Sequence, residues 1–412
     1  MSRNLVVCCD GTGNEINENI SNVLKFYRVL SKSEAGDPRQ IVYYHPGVGT
    51  LSKVNTWTRN WQDLVRVLQL ATGTGLEDHV LSAYEFLVHN YEEGDKIFLF
   101  GFSRGAQTAR VLAAMIHKVG LLFPQQSNLI SAAFQAYKNS PEAVNELVQT
   151  ADDKAAQFAR IASTRWPNIQ FVGVWDTVAS LITPTWRIWP WFTLEILPYT
   201  RRNPSVWALR QAAAIDERRR MFGLEPWIVG QSCTSNRFSL TNNSRPQDFE
   251  QVWFAGAHGD VGGGYPEAES AISKWPLLWM IGEAEKFGLK FNQASINHLV
   301  WGVRRKGSPF TYTSPNTTEL PHDSVTGFWR ILEYIPKSKK YRNWTERRSL
   351  FGYYLPLKEP RFIEEGAVIS ESADILHNSS SQYRPINYPS KFSHWPIPKK
   401  SKNRSAVVII PP

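Results

Sequence analysis

Gly101-Phe102-Ser103-Arg104-Gly105 is the stretch on which the reading of this chain turns. The residues before it, Lys96-Ile97-Phe98-Leu99-Phe100, are mostly apolar and β-favouring. Those after it, Ala106 to Met115, favour a helix. A Gly-x-Ser-x-Gly between a strand and a helix is a nucleophile elbow. The turn is tight enough to strain the serine, and its flanks must lack bulk, which accounts for Gly101 and Gly105. The strain pushes the Ser103 hydroxyl out above the carboxyl end of a sheet. A helix N-terminus beneath it favours negative charge that develops there. The bare pattern is common, and the strand–turn–helix setting gives it weight. The competing reading is a Gly-rich turn carrying a solvent-exposed serine.

The same alternation extends to both sides. Leu5-Val6-Val7-Cys8-Cys9 is a continuous apolar run, as expected of a parallel strand covered on both faces, and it enters Asp10-Gly11-Thr12-Gly13-Asn14. Val23, Phe26, Tyr27 and Leu30 repeat at helical spacing and predict a helix over about 21–31. Gln40–Tyr44 reads as a second strand. Leu76, Val80, Tyr84, Leu87 and Val88 predict a helix over about 75–91. Residues 125–165 read as helical and polar on one face. Ile169–Trp175 is a strand ending at Asp176, and Glu250–Ala257 a strand ending at His258. Helices are expected around 204–222, with the charged run Asp216–Arg220, and over about 271–288. Strand and helix in alternation predict an α/β fold with a doubly wound, mainly parallel sheet. The expected division is a catalytic domain over 1–270 and a C-terminal extension over 271–412 that packs on or caps the core. The extension ends in a basic tail from about Lys391.

Composition narrows the class. Of 412 residues, 42% are hydrophobic and 20% charged, which excludes a disordered chain. The formal net charge of +9 suits anionic partners such as a membrane surface, although it equally describes a solvated basic surface. No secretory leader precedes the first strand, and no apolar stretch approaches the roughly 20 residues of a membrane helix. A cytoplasmic protein is therefore expected, with export by a signal-independent route left open. The three cysteines form neither a disulfide framework nor a zinc spacing. Residues 183–200 carry Trp186, Trp189, Trp191 and Phe192, broken by Pro184, Pro190 and Pro198. Such a run makes a lid, an interfacial patch or ordinary loop packing.

In an open parallel sheet, functional groups gather at the carboxyl ends of strands. Here those ends carry Asp10, Ser103, Asp176 and His258. The last three follow the chain order Ser, Asp, His of an α/β-hydrolase triad. Ser103 is then the nucleophile, His258 the general base and Asp176 the group that orients the imidazole. Asp260 is the rival acid and is assigned a supporting role in the Gly-rich loop. His377 is the rival histidine, and Asp176 as a simple turn cap is the plainer alternative. The oxyanion hole is expected from the backbone N–H of Arg104 and of Thr12, with Gly11 letting the backbone approach and Asp10 binding its own loop or Arg104. The loop lacks a complete Gly-x-Gly-x-x-Gly and a Walker lysine, so nucleotide binding is unsupported. Asp10 and Asp260 are too few to claim a metal. Neither metal nor cofactor is expected.

Taken together, four motifs are similar to those of the first lipase class of type VI secretion phospholipase effectors and their bacterial and fungal relatives. They are Asp10–Asn14, Gly101–Ala106, Val174–Val178 and Phe254–Tyr265, spread over about residues 1–270. The resemblance implies an α/β-hydrolase acting on a glycerophospholipid or related ester, with Ser103, Asp176 and His258 as its triad. It further implies a membrane surface and a secretion-apparatus or immunity protein as partners, and no nucleic acid. One departure stands at Gly13, where the family usually carries a bulky aromatic. Two other classes fit the residues: an esterase, thioesterase or deacetylase on non-lipid esters, and a non-enzymatic membrane- or protein-binding module.

Overall fold

A computed structural model describes residues 2–11, 20–47, 75–140, 153–178, 197–234, 238, 245–327, 329–334, 336–338, 344 and 348–398, and the backbone of 182–184 and 192–194. Its centre is an eight-stranded sheet. The strands are β1 (Asn4–Cys9), β2 (Gln40–His45), β3 (Lys96–Phe102), β4 (Ile169–Trp175), β5 (Ala208–Ala214), β6 (Asp248–Phe254), β7 (Ala367–Ser370) and β8 (Phe392–Trp395). Their spatial order is β8-β7-β6-β5-β4-β3-β1-β2, and every neighbouring pair is parallel. All strands therefore end on one edge, so residues distant in the chain meet there.

Helices cover both faces. Helices α2 (Leu76–Asn90), α3 (Arg104–Val119), α4 (Ile130–Lys138) and α5 (Lys154–Ala162) pack on one, through Val80, Leu87, Leu112 and Ala133. Helices α1 (Asn22–Val29), α7 (Lys274–Lys286) and α8 (Gln293–Leu299) pack on the other, through Phe26, Met280 and Leu299. The short α6 (His258–Gly262) caps the end of β6, and α9 (Glu371–Ser379) follows β7. This is the doubly wound arrangement of an α/β-hydrolase-like fold. Residues 367–370 and 392–395 extend the same sheet, so chain beyond residue 270 supplies its edge.

Two elements differ from the sequence reading. The helix expected around 204–222 is strand β5 over 208–214. Ala-Leu-Arg-Gln-Ala-Ala-Ala has high helix propensity, but every one of these residues is buried between β4 and β6, and tertiary packing overrides propensity. Its Arg210 is kept inside by Glu283 of α7, 2.7 Å away. The helical stretch at 125–165 resolves into a 3₁₀ turn at Pro124–Leu129 and the separate helices α4 and α5. Of the aromatic stretch 183–200, the backbone of Ile182–Pro184 pairs antiparallel with Phe192–Leu194, and the side chains through residue 196 lie outside the described residues.

The elbow glycines lock α3 against the sheet. A Cβ on Gly101 would stand 2.2 Å from the Gly105 carbonyl oxygen, and one on Gly105 2.1 Å from that of Cys9 at the end of β1. Both clashes are with backbone, which cannot swing aside. Gly105→Ala is therefore expected to cost about 3 kcal/mol or more, the upper end for overpacking. Urea unfolding monitored by tryptophan fluorescence checks it, and a midpoint equal to wild type would refute the contact.

Candidate active site

Ser103 joins β3 to α3 with φ 57° and ψ −120°, a left-handed conformation that a non-glycine residue adopts only under constraint. Its amide donates to the Trp175 carbonyl, 3.1 Å away, which ties the turn to the end of β4. The next residue on β4 is Asp176, also at positive φ (42°), and its amide donates to Ala212 of β5 at 2.8 Å. His258 opens α6 directly after the turn that leaves β6.

These three side chains meet. His258 Nε2 lies 2.8 Å from Ser103 Oγ, and His258 Nδ1 lies 2.5 Å from Asp176 Oδ2. The imidazole sits between the rings of Phe102 and Phe222, with centroids 4.6 and 4.9 Å away. His377, the rival histidine, is instead stacked on Tyr388 at 4.4 Å. Asp260 does not reach His258 Nδ1. It accepts from the Ala257 amide at 2.8 Å and pairs with His322 Nδ1 at 2.6 Å, which fixes the Gly-rich loop to the strap around residue 322. Asp10 accepts from the Gly11 amide at 2.7 Å, from the Tyr44 hydroxyl at 2.8 Å and from Ser21. Thr12 lies outside the described residues. Arg104 begins α3, whose first-turn amides lack intrahelical acceptors and face Ser103.

Two arginines in the site were not read from the sequence. Arg361 reaches Asp176 from the irregular chain before β7, with Nη1 2.5 Å from Oδ1 and Nη2 2.9 Å from Oδ2. The same guanidinium donates to the carbonyls of Ala214 and Phe222. No local pattern marks Arg361; only the need of a buried carboxylate for a counter-charge points to such a residue. Arg219 belongs to the charged run after β5. It is paired with Glu217, which also accepts from the His258 amide at 3.2 Å and from the Ser324 hydroxyl at 3.1 Å.

Burial alone would raise the Asp176 carboxyl, but Arg361 and His258 outweigh it and hold the group well below the usual carboxylate range. Burial also dominates at His258 and lowers it from the ordinary imidazole value, with Asp176 opposing. The pair therefore presents an ionised carboxylate and a neutral imidazole at neutral pH, the state a general base requires. A cavity of about 260 Å³ opens onto Ser103 and His258, lined also by Gly11, Arg219, Tyr265 and Trp329. A larger groove of about 1020 Å³ lies over the amino-terminal half of β6, and among the described residues no Ser, Thr, Cys or His lines it. Among the described residues, no group of His, Cys, Asp and Glu side chains is placed to hold a metal ion, and no helix is long and apolar enough to cross a membrane.

An all-parallel, doubly wound sheet with a serine at the strained β3–α3 turn defines an α/β-hydrolase-like protein. The chain belongs to the Tle1-like family of type VI secretion phospholipase effectors, whose catalytic-domain profile matches residues 3–283. A curated relative, the uncharacterized protein YEL023C of Saccharomyces cerevisiae, is 26% identical over 426 residues; the match covers 76% of this chain and 61% of the yeast protein. The chain thus spans less than two thirds of that relative. Two solved structures align at 17% identity. One is an uncharacterized protein from Pseudomonas aeruginosa (TM-score 0.36, covering 71% of this chain and 46% of that one). The other is the Tle1 effector bound to the VgrG spike of the type VI secretion system (TM-score 0.34, 66% and 53%).

Arg361→Gln is expected to destabilise the fold by about 3–5 kcal/mol at pH 7, because it strands a buried carboxylate. Asp176 with its depressed value contributes stability above the unfolded carboxyl value near 3.9, and that contribution is lost as pH falls toward its folded value. Without Arg361 the largest of the interactions that depress it is gone. The deficit is therefore full at neutral pH and narrows only as pH falls below about 4. Urea titrations at pH 7 and pH 3 test this, and a pH-independent deficit would refute the pairing as its cause.

Proposed function

We propose that the protein is a serine hydrolase that cleaves acyl esters of glycerophospholipids. The observation that carries the proposal is the hydrogen-bonded series Ser103–His258–Asp176, in which a strained serine hydroxyl lies 2.8 Å from the imidazole nitrogen that would take its proton. Membership of a family of phospholipase effector catalytic domains supports the lipid class of the substrate.

In this reading Ser103 Oγ attacks the ester carbonyl while His258 Nε2 accepts its proton. Asp176 holds Nδ1–H and stabilises the imidazolium that forms. The oxyanion is received by the Arg104 N–H at the head of α3, with the second donor assigned to Thr12, the residue after cavity-lining Gly11. His258 then returns the proton to the departing alcohol, leaving an acyl-Ser103. Water, deprotonated by the same nitrogen, hydrolyses that ester and restores the serine. Asp260, Gly101 and Gly105 support the loops that hold these groups. No metal or organic cofactor enters the scheme. A membrane surface is the proposed setting. A secretion-apparatus component and an immunity protein are the proposed partners of an antibacterial effector.

Ser103→Ala should lower turnover roughly 10⁴- to 10⁶-fold with the fold intact. The measurement is fatty acid and lysolipid released from mixed phospholipid vesicles, read by mass spectrometry. Serine-dependent release supports the lipase reading. Labelling of wild type by a neutral fluorophosphonate without release keeps the serine hydrolase and moves the substrate to other esters. Neither release nor labelling overturns both.

The pH profile offers a second test. Because burial lowers His258, the acidic limb of kcat/KM should have its inflection below 6.5, with full activity at neutral pH. An inflection clearly above 6.5 would contradict the neutral buried base.

A further inference from the structure

Arg219 differs from the other charged groups around Ser103. The side chains of its partner Glu217 and of Asp176 are fully buried, and that of Arg361 is nearly so, whereas Arg219 lines the cavity that holds Ser103 and His258, with its side chain 14% exposed. The guanidinium is fixed from three sides. Glu217 takes Nε at 2.9 Å and Nη2 at 2.7 Å, the Phe222 ring lies 3.9 Å from Cζ, and the Trp329 ring centroid 5.0 Å from it. Its Nη1 donates to no group among the described residues. A carboxylate that only needed neutralising would be served by any ammonium. Here a planar fork is held rigid with one end left open, beside a nucleophile.

From these contacts we infer that Arg219 is the specificity-determining residue that binds the phosphodiester of the substrate through Nη1. This rests on the phospholipid reading above. The chemistry fits in three respects. A guanidinium with a free N–H edge is matched to phosphate oxygens. Arg219 lines the cavity whereas the carboxylate of Glu217 has no exposed surface, so the charge that meets an incoming headgroup is positive. In a glycerophospholipid the phosphorus stands five or six covalent bonds from the ester carbon, so both groups enter one small cavity together. The aromatic rings of Phe222, Tyr265 and Trp329 supply the apolar wall against which the glycerol and acyl stem pack.

The test compares two esters with the same acyl chains in the same detergent micelles: phosphatidylglycerol and uncharged diacylglycerol. Wild type and Arg219→Gln are assayed for released fatty acid. The expected result is at least a tenfold fall in the ratio of phosphatidylglycerol to diacylglycerol turnover, appearing mainly in KM, with Arg219→Lys in between. A parallel fall on both esters would reduce Arg219 to a partner of Glu217 and overturn the assignment, as would an unchanged ratio. Should Arg219→Gln fail to fold, Glu217→Gln/Arg219→Gln removes both buried charges and gives the same comparison. Wild type that cleaves diacylglycerol but no phospholipid overturns the substrate reading itself, and this is seen before any variant is made. An unchanged ratio in Arg219→Gln, when wild type does cleave phospholipid, overturns only the role of Arg219.

Discussion

A fully buried, ionised carboxylate is the constraint around which this molecule closes. Asp176 has no exposed surface, and an uncompensated charge there would cost several kcal/mol. It is satisfied by groups from three other places in the chain: the Ala214 amide of β5, His258 after β6 and Arg361 before β7. Satisfying one oxygen pair thus fixes how four segments meet. Arg361 extends the tie, since it also takes the carbonyls of Ala214 and Phe222. The orientation of the imidazole and the entry of the chain into β7 are therefore parts of one arrangement. The region after residue 270 is needed to keep an acid of the first half charged.

The elbow is held by exclusion instead of by charge. Gly101 and Gly105 let the start of α3 lie against the backbone of β3 and the end of β1, closer than any side chain allows. Gly262 plays the same part across the site, where a Cβ would fall 1.9 Å from the Phe102 ring. That ring is one wall of the His258 slot. Close approach at three glycines is thus converted into a serine and an imidazole with little room to move, the preorganisation that the proposed acyl transfer requires.

What the sequence revealed follows the same division. Strands β1, β3 and β4 were legible because both faces are covered, so their apolar runs are unbroken. The groups at their ends were legible because parallel topology sends every strand to one edge. β5 was misread because alanines suit a helix and a crowded sheet equally, and Arg210, which argues against a buried strand, finds its partner Glu283 far along the chain. β7 and the edge strand β8 are short, with polar members and no periodicity to detect. Arg219 and Arg361 escaped for a related reason. A charge run such as Arg218-Arg219-Arg220 looks alike whether its members face water or a site. Here the Arg219 side chain turns to Glu217, while the Arg220 guanidinium turns to the Tyr354 hydroxyl and the Arg220 amide donates to Glu333. Long-range pairing has no local signature.

The placing of charge around His258 bears on its chemistry. A carboxylate bonded to an imidazole ordinarily raises it and favours the protonated form. Two carboxylates approach this one, Asp176 at Nδ1 and Glu217 at the backbone N–H. Each is already committed to an arginine, which weakens its pull on a proton at the ring. Burial between Phe102 and Phe222 then decides the balance toward neutral imidazole. The carboxylates still orient the ring and, in the proposed reaction, would meet the positive charge formed during attack. The arginines thus separate two effects that a lone Asp–His pair would couple: the ring is held in place without being protonated in advance.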